Sequence, residues 1–152
     1  MTAVNLNRAI RGPVTAVPIV AGKGVRLVAD TQNNRWVVEA DDSWEDVTSQ
    51  FTKVTTNLTW YNFTFYRNKA TNMVAGTIVF KPSANISWSG IFSTANEALK
   101  PLFSTQVGIN TDTSNGGVGT IFQFGTDGST NFAYLTSGKT YYCTFFYVCS
   151  GD

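Results

Sequence analysis

The sequence contains no histidine, and this absence removes whole classes of catalytic and metal site. A Ser-His-Asp or Cys-His nucleophile needs an imidazole as its base, and histidine is a common ligand of catalytic zinc. The two cysteines cannot complete a structural zinc site by themselves, and no glycine-rich loop precedes a helix that could hold a nucleotide phosphate. We therefore expect a protein that is not an enzyme and that uses no metal or cofactor.

Charged residues are also scarce, at 14% of the 152 residues, against about 25% in an average soluble domain. The net charge is +1 and the lysines and arginines are scattered, whereas nucleic acids and anionic membrane surfaces are bound by clustered cations. No apolar run approaches the roughly 18 residues of a membrane span, and the N-terminal residues lack a signal-peptide pattern. The sequence predicts no nucleic-acid partner, no membrane insertion and no export by the classical route.

Carboxylates offer a remaining route to chemistry, because glycosidases work with a pair of them. In the C-terminal part these are Glu97, Asp112, Asp127 and Asp152, and helix-capping and turn roles explain Glu97 and Asp127. A second acidic group lies in the segment 41–46. We interpret that group as a solvated hinge, with a calcium site as the alternative because hard oxygen ligands gather there.

Cys143 and Cys149 lie in the last apolar run of the chain. In one strand an offset of six residues places both sulfur atoms on the same face, roughly 20 Å apart. A disulfide requires Cα atoms within about 7 Å, so the two residues cannot pair within the strand. We predict free thiols, which agrees with assembly in a reducing cytosol.

The composition divides the chain into two domains, residues 1–42 and 43–152. In the first, two β-favouring runs, 25–29 and 35–40, flank a turn rich in Asp and Asn, which predicts a β-hairpin. A lone hairpin is marginally stable in water. This hairpin must therefore dock on the rest of the chain or associate with copies of itself.

The second domain consists of short β-favouring runs separated by turns, which predicts an all-β fold, an antiparallel jelly-roll or β-sandwich head. Period-two alternation puts Tyr61, Phe63 and Phe65 on one face of a strand. The segment 94–97 resembles a capping box with Thr94 as its first residue. The predicted strands are Leu58–Tyr66, Met73–Phe80, Ile86–Phe92, Thr105–Asn110, Val118–Phe124, Phe132–Leu135 and Lys139–Cys149.

The last predicted strand is apolar on both faces. Tyr141, Cys143 and Phe145 alternate with Tyr142 and further apolar residues. A sheet with one solvated side should have a polar outer face, so something is expected to cover this one. The cover is either a neighbouring subunit, as in an obligate interface, or the N-terminal segment of the same chain.

Two stretches resemble the C-terminal parts of bacteriophage tail-fibre and receptor-binding proteins. In residues 21–40 a Gly-rich turn leads to an alternating strand, an Asp/Asn turn and a second strand, an order similar to fibre necks. In residues 99–141, Leu-Lys-Pro precedes a strand, a Gly-rich loop, an aromatic strand and Thr126-Asp127-Gly128-Ser129, and a short strand and Leu-Thr-Ser-Gly-Lys-Thr-Tyr follow. That order is similar to fibre heads with a jelly-roll or tumour-necrosis-factor-like fold.

The resemblance implies a homotrimer at the tip of a phage tail fibre, with neck hairpins that associate about the threefold axis. It implies a viral protein for host cell attachment, assembled in the host cytoplasm and carried on the virion. Its partners would be the rest of the tail fibre and a bacterial surface glycan. The family implies no specific binding residue, because its receptor contacts vary.

Candidate ligand-binding residues follow from the chemistry of sugars, which present apolar faces and many hydroxyl groups. Such ligands are bound by a flat aromatic ring beside amide, hydroxyl or carboxylate groups. The polar neighbours of Tyr66 predict a turn there, and the polar loop 110–119 is long for a hairpin. For each aromatic residue a core or interface role is the alternative. The candidates are Trp60, Tyr61, Tyr66, Arg67, Asn68, Trp88, Asp112 and Asn115.

Three alternatives to a trimeric fibre head remain open. A purely structural virion or appendage protein would form the same oligomer but would bind no cell envelope. A monomeric carbohydrate-binding module would bind saccharide without assembling. A small glycan hydrolase would use Asp112 or Glu97.

Overall fold

The computed structural model of the protein describes residues 25–40, 43–111 and 119–151. Their dominant structure is antiparallel β strand, and their only helical elements are the short 3₁₀ turns Thr48–Gln50 and Glu97–Leu99. The all-β prediction is confirmed. In chain order the strands are β1 (Val25–Asp30), β2 (Arg35–Ala40), β3 (Trp44–Asp46), β4 (Phe51–Lys53), β5 (Leu58–Asn68), β6 (Met73–Pro82), β7 (Ile86–Ser89), β8 (Phe92–Thr94), β9 (Thr105–Thr111), β10 (Thr120–Phe124), β11 (Thr130–Leu135) and β12 (Tyr141–Val148).

The chain forms two compact units. One contains the hairpin of β1 and β2 together with the short segment 69–71, and the other contains β3 to β12. The predicted hairpin is confirmed, with Val28 paired to Val37 across the two strands. Its turn is closed by Asp30, whose carboxylate accepts hydrogen bonds from the Asn33 amide at 2.9 Å and from the Arg35 guanidinium at 2.7 Å.

The larger unit is built on one eight-stranded antiparallel sheet with the order β3-β5-β6-β12-β9-β10-β11-β7. Strands β12 and β9 pair only through Tyr141–Thr111 and Tyr142–Asn110, so the sheet folds over at this point. The first four strands in this order form one layer and the last four form the other. The order β12-β9-β10-β11 is that of one Greek key. A jelly roll has two, so the jelly-roll assignment within this sandwich stays a prediction.

Phenylalanine rings fill the space between the two layers. Phe80 on β6 lies 5.7 Å from Phe132 on β11, and Phe145 on β12 lies 5.0 Å from Phe122 on β10, measured between ring centroids. The contacts join strands that are not neighbours in the sheet, which is how a sandwich core is recognised. Phe92, on the separate two-stranded sheet of β4 and β8, is fully buried among these rings.

Two predictions about strands are wrong. Tyr61 does not share a face with Phe63 and Phe65, because a bulge shifts the pairing of β5 with β6 between Trp60 and Asn62. A bulge inserts one extra residue and so reverses the alternation. The predicted single strand 86–92 is two strands, β7 and β8, which belong to different sheets.

The predicted capping box at 94–97 is also wrong in its first residue. Asn96, not Thr94, caps the 3₁₀ turn, because the Asn96 side chain accepts the Ala98 backbone N–H. The Thr94 hydroxyl instead donates to the Gln50 backbone carbonyl at 3.0 Å.

Both cysteines are buried and free, as predicted. Burial in the apolar core raises the pKa of the Cys143 thiol to about 12. The thiol therefore stays protonated at physiological pH and is a poor nucleophile.

The turn between β10 and β11 fastens β8 to the larger sheet. The Thr94 backbone N–H donates to the Gly128 carbonyl at 2.9 Å. Thr130 is fully buried, donates its hydroxyl to the Phe92 carbonyl at 2.6 Å, and accepts from the Phe92 N–H at 3.1 Å. The short strand β8 is thus bonded to the β10–β11 turn at Gly128 and to Thr130 at the start of β11.

Asp127 in the same turn predicts a weak dependence of stability on pH. Hydrogen bonds from the Ser129 backbone N–H and hydroxyl hold the pKa of the Asp127 carboxyl below its ordinary value of 3.8. A carboxyl whose pKa is lower in the folded state stabilises the fold above its unfolded pKa, and this contribution is lost as the pH falls through the folded pKa. The group is exposed, so solvent screening keeps the effect small.

We expect Asp127→Asn to lower the free energy of unfolding near neutral pH, because the neutral asparagine amide accepts the Ser129 hydrogen bonds more weakly than the carboxylate does. In acid well below 3.8 the wild-type carboxyl is protonated as well, and the difference between the two proteins should vanish. Urea denaturation of both proteins at the two pH values measures this. A difference that stays constant with pH would contradict the assignment.

Candidate functional site

The outer face of the layer containing β5, β6 and β12 is apolar and open to solvent. We call it the β12 face. Cross-strand pairing sets Ala75 between Phe146 and Tyr66, and sets Val148 beside Met73. Phe146 is 57% exposed, although its neighbours in sequence, Phe145 and Tyr147, are buried in the core. The inner face of β12 is therefore already filled, and its outer aromatic and aliphatic side chains lie against solvent.

The β12 face carries almost no charge. A row of threonines, Thr64, Thr77 and Thr144, crosses its centre, and the Thr77 and Thr144 hydroxyl groups are hydrogen-bonded at 3.3 Å. At the described outward positions of the three strands, Lys81 at one end is the single charged residue. Large exposed apolar surfaces of this kind usually mark an interaction site.

One side of the hairpin is also apolar and exposed. Pairing places Leu27 beside Val38 and Ala29 beside Trp36, while the opposite side carries the Arg26–Glu39 ion pair at 2.9 Å. Trp36 and Val38 are both at least half exposed. A two-stranded ribbon with one bare apolar face needs a partner for stability. The sequence predicted the hairpin, but this division of its faces follows from the register.

Trp88 is the most exposed of the large hydrophobic side chains that the structure describes, at 73%. Its backbone has a φ of +44°, in the left-handed region. Among the described non-glycine residues only Asn34 and Asn72 share a positive φ, and asparagine tolerates it whereas a bulky aromatic does not. Backbone strain of this kind tends to occur at functional positions.

The sequence-predicted ligand residues on β5 do not come together as one site. Tyr66, Arg67 and Asn68 end a strand and do not lie in a turn, so that prediction is wrong. Tyr66 is exposed on the β12 face, but Arg67 and Asn68 are buried. Trp60 is partly buried and packs against the core, with its ring 5.3 Å from the Phe80 ring and its centroid 5.6 Å from the Lys53 ammonium. Asp112 and Asn115 lie outside the described residues.

The described carboxylates have structural partners. Glu97 pairs with Lys100 at 2.6 Å, Asp127 binds Ser129, and Asp46 accepts the Thr48 backbone N–H at 2.8 Å. Asp41, Asp42 and Asp152 are outside the described residues. In the part of the chain that the structure describes, no three Asp, Glu or Cys side chains lie close enough to hold a metal. Nor does any described helix have the length and apolarity needed to cross a membrane.

In comparisons with known proteins, no family model and no curated sequence matches this chain. Its function must therefore be argued from the surfaces themselves.

Tyr134 is an exposed aromatic residue on the strand next to Trp88, and the sequence did not predict it as a site residue. By period two it should share the buried face of Phe132, yet Phe132 is fully buried and Tyr134 is half exposed. The register of β11 with β7 stays constant across these two residues, but Ala133 and Trp88 do not pair, and the alternation of buried and exposed residues on β11 breaks here, opposite the left-handed Trp88. Of Tyr134 and Trp88, the sequence indicated an exposed aromatic residue only at Trp88, where two serines flank the large ring.

Proposed function

We propose that this protein is the receptor-binding head of a homotrimeric phage tail fibre that attaches to a bacterial cell-surface saccharide. The observation that carries the proposal is the β12 face, where Tyr142, Phe146 and Val148 are exposed on a strand whose other side is buried. An apolar face with almost no charge fits a second copy of itself, because no like charges meet when two copies associate. Obligate subunit interfaces have this character.

The hairpin supports the same assembly. Its Leu27, Val38 and Trp36 side chains form a bare apolar face on a ribbon too small to be stable alone. Copies of the ribbon would cover that face by packing about a common axis. The number three and the location on the virion, at the fibre tip after assembly in the host cytoplasm, come from the resemblance to fibre necks and heads.

The assembly is tested by light scattering across a dilution series. We expect a stable species of three times 16.6 kDa, because burial of two apolar faces per chain favours association. Phe146→Lys places a charge in the β12 face and should shift the protein to monomer. Ile121→Lys is the matched control, since Ile121 is similarly exposed on β10 of the other layer, and it should leave the trimer intact. A wild-type monomer would overturn the proposed assembly.

Attachment is tested separately, with labelled protein on a panel of gut and soil bacteria before and after periodate oxidation of surface sugars. Adsorption that periodate abolishes supports the saccharide. A trimer that adsorbs to no cell indicates a purely structural virion protein. A monomer that binds saccharide indicates a carbohydrate-binding module.

A further inference from the structure

We propose that Trp88 and Tyr134 form a platform that binds an uncharged saccharide, which deepens the proposed function and rests on it. The two residues lie on neighbouring strands, and Tyr134 pairs with Ser87, the residue next to Trp88. Both aromatic side chains are at least half exposed. A pyranose ring presents a flat C–H face that stacks on an aromatic ring, and its hydroxyl groups bind nearby polar side chains.

The two strands that carry the platform are uncharged. Strand β7 is Ile-Ser-Trp-Ser and strand β11 is Thr-Asn-Phe-Ala-Tyr-Leu, so neither contains an acidic or basic residue. Ser87, Asn131 and the Tyr134 hydroxyl supply donors and acceptors at exposed positions. An anionic ligand would find no cation on these strands, whereas a neutral sugar would find both stacking and hydrogen-bonding partners.

The backbone on both sides of Trp88 is fixed. Before it, the Asn85 side chain accepts the Ser137 backbone N–H at 2.8 Å, and Ile86 is buried against the core. After it, Gly90 lies so close to the Thr130 carbonyl that an added Cβ would be 2.8 Å from that oxygen. The indole is thus held outward by two anchored flanks. A preorganised ring loses little freedom on binding.

The strained backbone and the exposed ring of Trp88 favour a binding role over a structural one. A tryptophan that stabilised the fold would be expected to bury its ring and adopt an ordinary backbone conformation, but this one does neither. Trp88→Asn removes the ring and installs a residue that tolerates a positive φ. It should therefore weaken ligand binding while leaving thermal stability unchanged or raising it.

The test uses the full chain on an array of neutral bacterial wall glycans, with phosphate-bearing teichoic acids on the same array. We expect the wild type to bind a neutral glycan and Trp88→Asn and Tyr134→Ala to weaken that binding roughly tenfold or more. Trp44→Ala is the control, because Trp44 is a half-exposed tryptophan on β3 of the other layer. The bound glycan should also change tryptophan fluorescence in the wild type but not in Trp88→Asn.

Each other outcome is decisive. Glycan binding that survives Trp88→Asn overturns the platform and leaves the proposed receptor-binding function standing. Preference for teichoic acids overturns the neutral ligand. Loss of binding together with a lower melting temperature assigns Trp88 a structural role. If the wild type binds no glycan and adsorbs to no cell, the proposed function itself fails.

Discussion

Replacing Gly128 with alanine is expected to destabilise the β-sandwich by about 3 kcal/mol or more, from left-handed backbone strain and from overpacking together. Gly128 has a φ of +82°, and a Cβ there would lie 2.2 Å from the Thr94 carbonyl oxygen. That oxygen belongs to the backbone of β8, which cannot move away without breaking the Thr94 N–H to Gly128 carbonyl hydrogen bond. Urea denaturation at fixed protein concentration measures the loss.

Gly138→Ala is the matched control for this substitution. Gly138 has a φ of +79°, nearly the same backbone conformation, but nothing lies within 4 Å of the position of its Cβ. Its free energy of unfolding should fall only by the cost of placing alanine in the left-handed conformation, about 1–2 kcal/mol. If the two alanine variants were equally destabilised, contact between the β10–β11 turn and β8 would not explain the need for glycine at position 128.

Local sequence patterns predicted the strands well where alternation is regular. On β12, buried Tyr141, Cys143 and Phe145 alternate with exposed residues along the whole strand, and on β6 the buried Val74, Ile78 and Phe80 alternate with partly buried ones. Both strands are long, and each inner residue packs into one continuous core. A one-residue slip would move these buried side chains out of the core, so packing against the core favours one register.

Alternation failed wherever the backbone departs from a regular strand. The bulge after Trp60 turns Tyr61 outward, and opposite the left-handed Trp88 the alternation of buried and exposed residues on β11 breaks between Phe132 and Tyr134. Neither irregularity has a glycine or proline to announce it. For this reason Tyr134 was not predicted to be exposed. The turn predicted from the polar neighbours of Tyr66 is also wrong, because β5 continues through Asn68. Trp88 was among the candidates because an aromatic ring beside hydroxyl groups suits a saccharide, but its backbone strain could be seen only in three dimensions.

The separation of β7 and β8 into different sheets was not predicted from the sequence. Ile86–Phe92 reads as one apolar strand, yet the chain leaves one sheet after Ser89 and enters another at Phe92. Its new partner, β4, is only three residues long, so backbone pairing alone cannot hold the two strands in place. Side chains must do so, and Phe92 is central among them.

Phe92→Ala is therefore expected to cost about 3–5 kcal/mol of unfolding free energy, the range found when a buried phenylalanine is truncated. Phe92 is fully buried, and its ring lies 5.3 Å from Phe65, 5.5 Å from Phe124 and 6.3 Å from Phe145, so it contacts both layers of the sandwich. The surrounding rings are anchored on β5, β10 and β12 and cannot collapse freely into the cavity. Thermal and urea unfolding at one protein concentration measure the change.

Phe103→Ala serves as the comparison, because that ring is 72% exposed and its removal should alter stability by no more than about 0.5 kcal/mol. A small loss for Phe92→Ala would mean that β4 and β8 detach without disturbing the two main layers. The hydrogen bonds of Thr130 to the Phe92 backbone would then be the principal link between β8 and β11. A large loss would establish that the small sheet is part of the same cooperative core. In the proposed trimer, the face opposite that core, where β12 is exposed, would then meet the other subunits as a rigid surface.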